Sequence, residues 1–172
     1  MKKERTFLLI GVILLSIFGL IMIYSASNIW SEYKFNDPYK YIKSQGLFLI
    51  VGYIALFIIS KISYLEYKKK SNIIFIICTI LLALVLIPGI GTVRNGSRSW
   101  FGIGSFGIQP SEFTKLGLII FTSKYLSNNQ KEIKDIKKGV LPILGVLLLV
   151  FGLIMLEPDF GTGVVIVMTI VV

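Results

Sequence analysis

Long apolar runs leave this chain few ways to fold. Phe7 to about Ser27, Gln45 to Ile59, Asn72 to Ile87, Pro110 to about Leu126, Gly139 to Leu156 and Gly163 onward are each dominated by Ile, Leu, Val and Phe. Runs of about 18 residues with few charges are read as membrane spans. Inside lipid the backbone must satisfy its own hydrogen bonds, so such spans are helices. With 55% hydrophobic residues and a mean hydropathy of +0.81, the chain offers no large water-soluble core. The predicted class is an all-α polytopic membrane protein: a helical bundle of about five full transmembrane helices and the start of a sixth. Residues 1–172 are expected to form part of one transmembrane domain, truncated within helix six. About ten residues of that last helix cover roughly 15 Å, half a bilayer core, so the chain reads as the front half of something longer.

A net charge of +9 raises the question of nucleic acid, and the placement of the charges answers it. Lys2, Lys3 and Arg5 precede the first span. Lys61, Lys68, Lys69 and Lys70 lie between the second and third, and Lys124, Lys131, Lys134, Lys137 and Lys138 between the fourth and fifth. The alternate loops hold Lys34, Lys40 and Lys43, then Arg94 and Arg98. The balance is twelve against five, with Lys115 set aside as intramembrane. This is the positive-inside pattern. It predicts a cytoplasmic N-terminus, an extracytoplasmic Arg94–Gln109 loop, anionic lipid as the electrostatic contact and no nucleic-acid partner. The first run has the basic cap of a signal peptide, but it is too long and continues through Ser25-Ala26-Ser27, so an uncleaved signal anchor is expected. The aromatic residues of the 28–43 loop, Trp30, Tyr33, Tyr39 and Tyr41, read as an interfacial belt.

The chain has no histidine and one cysteine, Cys78. That excludes a Ser-His-Asp triad, a Cys-His pair, a His-ligated zinc site and an internal disulfide. Acid–base chemistry must come from carboxylates, Lys or Tyr.

The polar residues concentrate between Arg94 and Lys115. Gly at 96, 102, 104 and 107 punctuates the stretch, and a tight hairpin over 99–108, folded onto the membrane surface, is plausible. Gln109-Pro110-Ser111-Glu112 reads as a helix start, because Pro suits the first helical position and an acid suits the first turn. Lys115 follows on the same face. Ionisable residues at membrane depth mark functional sites by default. Glu112 and Lys115 are therefore candidate catalytic or substrate-binding groups, with a structural ion pair as the alternative. Arg94 and Arg98 suit bidentate recognition of a diphosphate, or simple contact with lipid phosphate. Trp100 is a stacking platform or an interface anchor. Beyond the fifth span, Asp159 suits the cap of the next helix. Glu157 ends an apolar run with no evident local cation, and two acids this close raise one another's pKa if buried. Both are candidate substrate-binding residues. Hard oxygen ligands admit a divalent cation, but two acids are a weak signal for one, so no cofactor and no metal is expected.

Five segments together resemble the FtsW/RodA family, the SEDS proteins of bacterial shape, elongation, division and sporulation. They are Ile23-Tyr24-Ser25-Ala26-Ser27, Ile87-Pro88-Gly89-Ile90-Gly91, Asn95-Gly96-Ser97-Arg98-Ser99-Trp100, Gln109-Pro110-Ser111-Glu112-Phe113-Thr114-Lys115 and Glu157-Pro158-Asp159-Phe160-Gly161-Thr162. Their order and spacing agree from end to end, and the match is stronger to the sporulation and division branches than to RodA proper. The resemblance implies a fold of about ten transmembrane helices, of which this chain covers the N-terminal half. It implies a peptidoglycan glycosyltransferase that polymerises lipid II at the outer membrane face for division or spore cortex synthesis. A class B penicillin-binding protein, a transpeptidase, and other divisome or sporulation membrane proteins would be its partners. Lipid II transport by a flippase, and a non-catalytic scaffold for wall-building partners, remain open alternatives. By resemblance Trp100, Glu112, Lys115 and Asp159 occupy motif positions linked to the cavity and to activity, and Arg98 the basic position before the Trp. Two positions depart: Ser99 stands where many members have a second basic residue, and Glu157 where many have Gln. The family's proposed catalytic aspartate belongs to an outside loop of the second half, so these 172 residues alone are expected to be inactive.

Overall fold

The computed structural model describes residues 2–94, 96–102, 107–132 and 135–171. It divides into two compact units, Met1–Ile62 and Ser63–Val172.

The first unit is a pair of helices, α1 (Lys2–Phe35) and α2 (Lys40–Ile59). α1 outruns its predicted span by about two turns, because the polar residues after Ser27 continue the helix instead of opening a loop. The chain reverses at Asn36, whose φ of 54° is the left-handed conformation that Asn tolerates at a helix end. Its N–H donates to the Glu32 carbonyl at 2.9 Å. Asp37 then accepts from the Tyr39 N–H and from Lys43 Nζ, both at 2.9 Å. The Lys43 ammonium, helped by the Tyr39 N–H, holds the Asp37 carboxyl below its ordinary range. Tyr39 stacks on Tyr24 at 5.5 Å and Tyr41 meets Phe35 edge-on at 5.7 Å, so aromatics expected to anchor at an interface also clasp α1 to α2. α2 buries no residue, and Phe7 and Leu15 of α1 are 78% and 72% exposed. Soluble monomers do not expose continuous apolar surface on this scale; a membrane setting accounts for it.

The second unit holds α3 (Tyr64–Val85), a strand pair β1 (Thr92–Arg94) and β2 (Ser97–Trp100), α4 (Pro110–Asn128), a π-helical turn (Ile136–Val140), α5 (Leu141–Leu156) and α6 (Phe160–Val171). The basic stretch expected as a loop over 61–71 is mostly helix. Ser63 caps α3 by accepting from the Leu65 N–H, and the lysines follow inside its first turns. Asp135 caps the π turn through the Lys137 N–H at 2.9 Å, and that turn runs straight into α5, so the helical span starts at Ile136, ahead of the expected Gly139. Leu82, Leu118, Leu147, Val150, Ile154 and Ile166, drawn from α3, α4, α5 and α6, form the core. α3 and α4 approach closely because Gly117 faces Cys78; a Cβ there would lie 3.3 Å from the sulfur. Small residues permit such contacts between membrane helices. Thr114 Oγ1 donates to the Cys78 carbonyl at 3.2 Å across the same seam, and Phe75 stacks on Phe121 at 4.8 Å.

Among the described residues, three helical segments are long and apolar enough to cross a membrane: Lys3–Phe35, Lys40–Ile59 and Ile136–Leu156. The apolar run of α6 is shorter, Phe160–Ile170. α3 carries Lys68–Lys70, and α4 carries Glu112, Lys115 and Lys124.

The strand pair lies upstream of the predicted hairpin. β1 and β2 are antiparallel, with Arg94 opposite Ser97 and Val93 opposite Arg98. Gly96, at φ 85°, makes the turn into β2 in a conformation that glycine enters freely. Phe101 and Ile108 exchange hydrogen bonds of 2.8 and 2.7 Å, closing the base of the expected 99–108 hairpin; 103–106 lie outside the described residues. The hairpin is seated on α3 through Gly91, where a Cβ would lie 1.9 Å from the Val85 carbonyl oxygen. Gly91→Ala must therefore move backbone, at a cost of about 1–3 kcal/mol. The thermal midpoint in detergent should fall, whereas Gly46→Ala in α2, with open space around it, should leave it level or raise it.

Candidate functional site

The hairpin, the start of α4 and the α5–α6 turn meet at one end of the second unit. Every candidate residue lies there. Among the described residues, two side-chain hydrogen bonds make the junction. Ser97 Oγ on β2 donates to the Glu157 carbonyl at 2.5 Å, and Gln109 Nε2, just before α4, donates to Asp159 Oδ2 at 2.7 Å.

Arg94 is built into the hairpin. Its guanidinium lies 5.0 Å from the centre of the Trp100 ring, a cation–π distance. The indole thereby fixes where the guanidinium stands. Gly107 also comes close, since a Cβ there would sit 2.7 Å from the guanidinium. Arg98 lies across from Val93, with its aliphatic stem over Gly91.

Pro110 is the first residue of α4, as the sequence predicts, and it is buried. Glu112 and Lys115 form an ion pair of 2.8 Å one turn apart, with the Glu112 side chain 55% exposed and Lys115 22%. Among the described residues no hydrogen bond or ion pair joins this pair to Arg98, Glu157 or Asp159. The pair closes on itself, and its acid stays open to a ligand.

Asp159 is the cap of α6. Its Oδ1 accepts from the Thr162 N–H at 3.1 Å and its Oδ2 from Thr162 Oγ1 at 2.7 Å, beside the Gln109 bond. Asp159→Ala removes the cap and the tie to α4 together and should cost about 1–2 kcal/mol. Asp159→Asn, which can still cap, should cost less; thermal midpoints of the two variants decide this.

Glu157 is the outlier. It is fully buried, and neither carboxylate oxygen has a hydrogen-bond partner among the described residues. Burial, and secondarily the charge of Asp159, raise its pKa from 4.5 to about 8. The Ser111 hydroxyl is likewise buried and has no partner among the described residues. No group of three or more metal-ligating side chains occurs among the described residues.

Sequence reasoning missed the connecting residues. Gln109 sat in the helix-start motif without a role, and Ser97 in the hairpin without a partner. Thr162, three residues after Asp159, carried the one available signal, the spacing of a cap to its third helical residue.

A sequence model of the FtsW/RodA/SpoVE family, described as cell cycle protein, matches residues 5–172. The chain belongs to that family. Stage V sporulation protein E of Bacillus subtilis (strain 168) is 50% identical over 173 residues, which cover 99% of this chain and 47% of that protein. The probable peptidoglycan glycosyltransferase FtsW of Legionella pneumophila is 39% identical over 159 residues, 92% of this chain and 40% of that protein. The chain thus spans under half the length of these FtsW/RodA/SpoVE relatives. Among solved structures, the rod shape determining protein RodA of Thermus thermophilus matches with a TM-score of 0.68 at 28% identity, covering 90% of this chain and 50% of RodA. A chain from a peptidoglycan synthase complex, described as coordinating polymerization and crosslinking, matches with a TM-score of 0.69 at 28% identity, covering 90% and 46%. The match to membrane proteins of the FtsW/RodA/SpoVE family over the whole helical chain agrees with the lipid-sized apolar exposure of α1 and α2: this is a membrane protein.

Proposed function

We propose that this chain supplies the N-terminal half of a peptidoglycan glycosyltransferase that polymerises lipid II. The observation that carries the reading is the junction itself. A guanidinium backed by Trp100 and an open acid–base pair on α4 stand at one end of one compact unit. A lipid-linked diphosphate sugar needs cations for its phosphates. Glycosyl transfer needs a base for the acceptor hydroxyl. Arg94 and Arg98 suit the first role, with Trp100 as the stacking surface, and Glu112 with Lys115 suits the second. Asp159 and the Glu157 carbonyl tie the α5–α6 turn to Gln109 and Ser97 beside them. The relatives named as glycosyltransferases support the chemistry, and the charge asymmetry supports an N-terminus in the cytoplasm and this junction on the outer face of the bacterial cytoplasmic membrane. The likeness to a chain from a complex that coordinates polymerization and crosslinking supports a crosslinking transpeptidase, a class B penicillin-binding protein, as partner.

The test incubates the gene's full product, purified, with lipid II and resolves the products on a denaturing gel. Polymer is expected from the full product and none from the 172-residue chain. Movement of labelled lipid II across liposomes without polymer would instead identify a transporter and overturn the reading.

A further inference from the structure

The opposite end of the second unit carries a site that the proposed activity does not use. α3 begins and α4 ends there, and a crevice of about 320 Å³ opens between them. Ile119, Ile120, Tyr67, Lys68, Lys124 and Ser127 are among the residues that line it. The two lysines differ from their neighbours. Lys69 and Lys70 are exposed, whereas Lys68 and Lys124 are partly buried and each is fixed across the seam between the helices. Lys68 Nζ donates to Ser127 Oγ at 2.9 Å, and Lys124 Nζ to Asn72 Oδ1 at 3.0 Å. Neither ammonium has a carboxylate partner among the described residues. An ammonium carries three donors, so each keeps donors for a further acceptor. The crevice is small for a whole lipid, but its volume lies in the range of ligand pockets.

We infer that this crevice binds an anionic phospholipid, its phosphate between Lys68 and Lys124 and the upper part of one acyl chain along Ile119 and Ile120. Charge complementarity commits the site to this occupant. Two part-buried cations with no carboxylate partner among the described residues favour an anion, and the isoleucines lining the crevice favour an amphipathic one. Basic pockets between transmembrane helices bind anionic head groups by this logic. The inference requires only that the chain lies in a membrane, and it stands whether or not the glycosyltransferase reading does.

The experiment titrates the 172-residue chain in detergent with phosphatidylglycerol, with phosphatidylcholine as reference, and counts retained lipid by native mass spectrometry. Each lysine is expected to contribute about fivefold, so Lys68→Gln/Lys124→Gln should weaken phosphatidylglycerol binding about thirtyfold. Lys69→Gln/Lys70→Gln, with the same loss of charge on open surface, should bind as the parent does, and Lys68→Arg/Lys124→Arg should retain binding. Equal weakening by the two Gln pairs would show a diffuse basic surface and overturn the site. So would a parent chain that retains phosphatidylglycerol no better than phosphatidylcholine. Should the double Gln variant lose its helical circular dichroism, the single variants Lys68→Gln and Lys124→Gln decide the matter, each by its own fivefold loss or the absence of one.

Discussion

Glu157→Gln should make the chain more stable at neutral and alkaline pH and remove most of its pH dependence. The native carboxyl is buried with no hydrogen-bond partner among the described residues, and burial raises its pKa to about 8 against 4.5 in an open chain. Between those values the folded state holds a proton that the unfolded state has released. Stability is then fully present below about pH 4.5 and falls by about 1.4 kcal/mol per pH unit as pH rises toward 8. Above that the carboxylate is charged in both states and the loss levels off at a total on the order of 5 kcal/mol. Gln fills the same volume with no charge to bury. Thermal midpoints in detergent, taken across this window, should decline for the parent and stay nearly level for the variant. A flat parent profile would mean that the carboxyl finds a partner in solution.

Glu112→Ala in the gene's full product should lower lipid II polymerisation by about a hundredfold or more, the scale of losing a general acid–base group. Its thermal midpoint should barely move, because an exposed pair three residues apart is worth only about 0.5 kcal/mol. Lys115→Ala should act in the same direction. The Lys115 amine is the less exposed partner, so its removal leaves Glu112 without its cation while the helix is unchanged. The split between activity and stability is the informative part. A fall in midpoint that matches the fall in activity would make the pair a structural clasp, and unchanged activity would remove both residues from the proposed site.

Much of this molecule is written in local chemistry. The apolar runs predict the helices, and Pro110 predicts the first residue of α4. Asp159 predicts the cap of α6, although the helix begins at Phe160 instead of Gly163. The loops were less legible. The polar tail of α1 and the lysines of α3 read as loops by composition, yet both are helical, because helix propensity and a Ser63 cap act without regard to where the lipid ends. The expected 99–108 hairpin does close at Phe101 and Ile108, but the strand pair just before it is not anticipated, although Asn-Gly is the usual signature of a two-residue hairpin turn.

What the sequence by itself determined is therefore the membrane class, the order of the helices, the family and the residue types of the candidate site. Only the tertiary structure decided which of those residues meet. Ser97 reaches Glu157 across sixty positions and Gln109 reaches Asp159 across fifty. Trp100 faces Arg94, and Lys68 and Lys124 flank one crevice. Periodicity and caps are set by neighbours within a turn or two. Contacts at long separation depend on how close Gly91 and Gly117 let the backbones come, and that is a property of packed surfaces rather than of any local pattern.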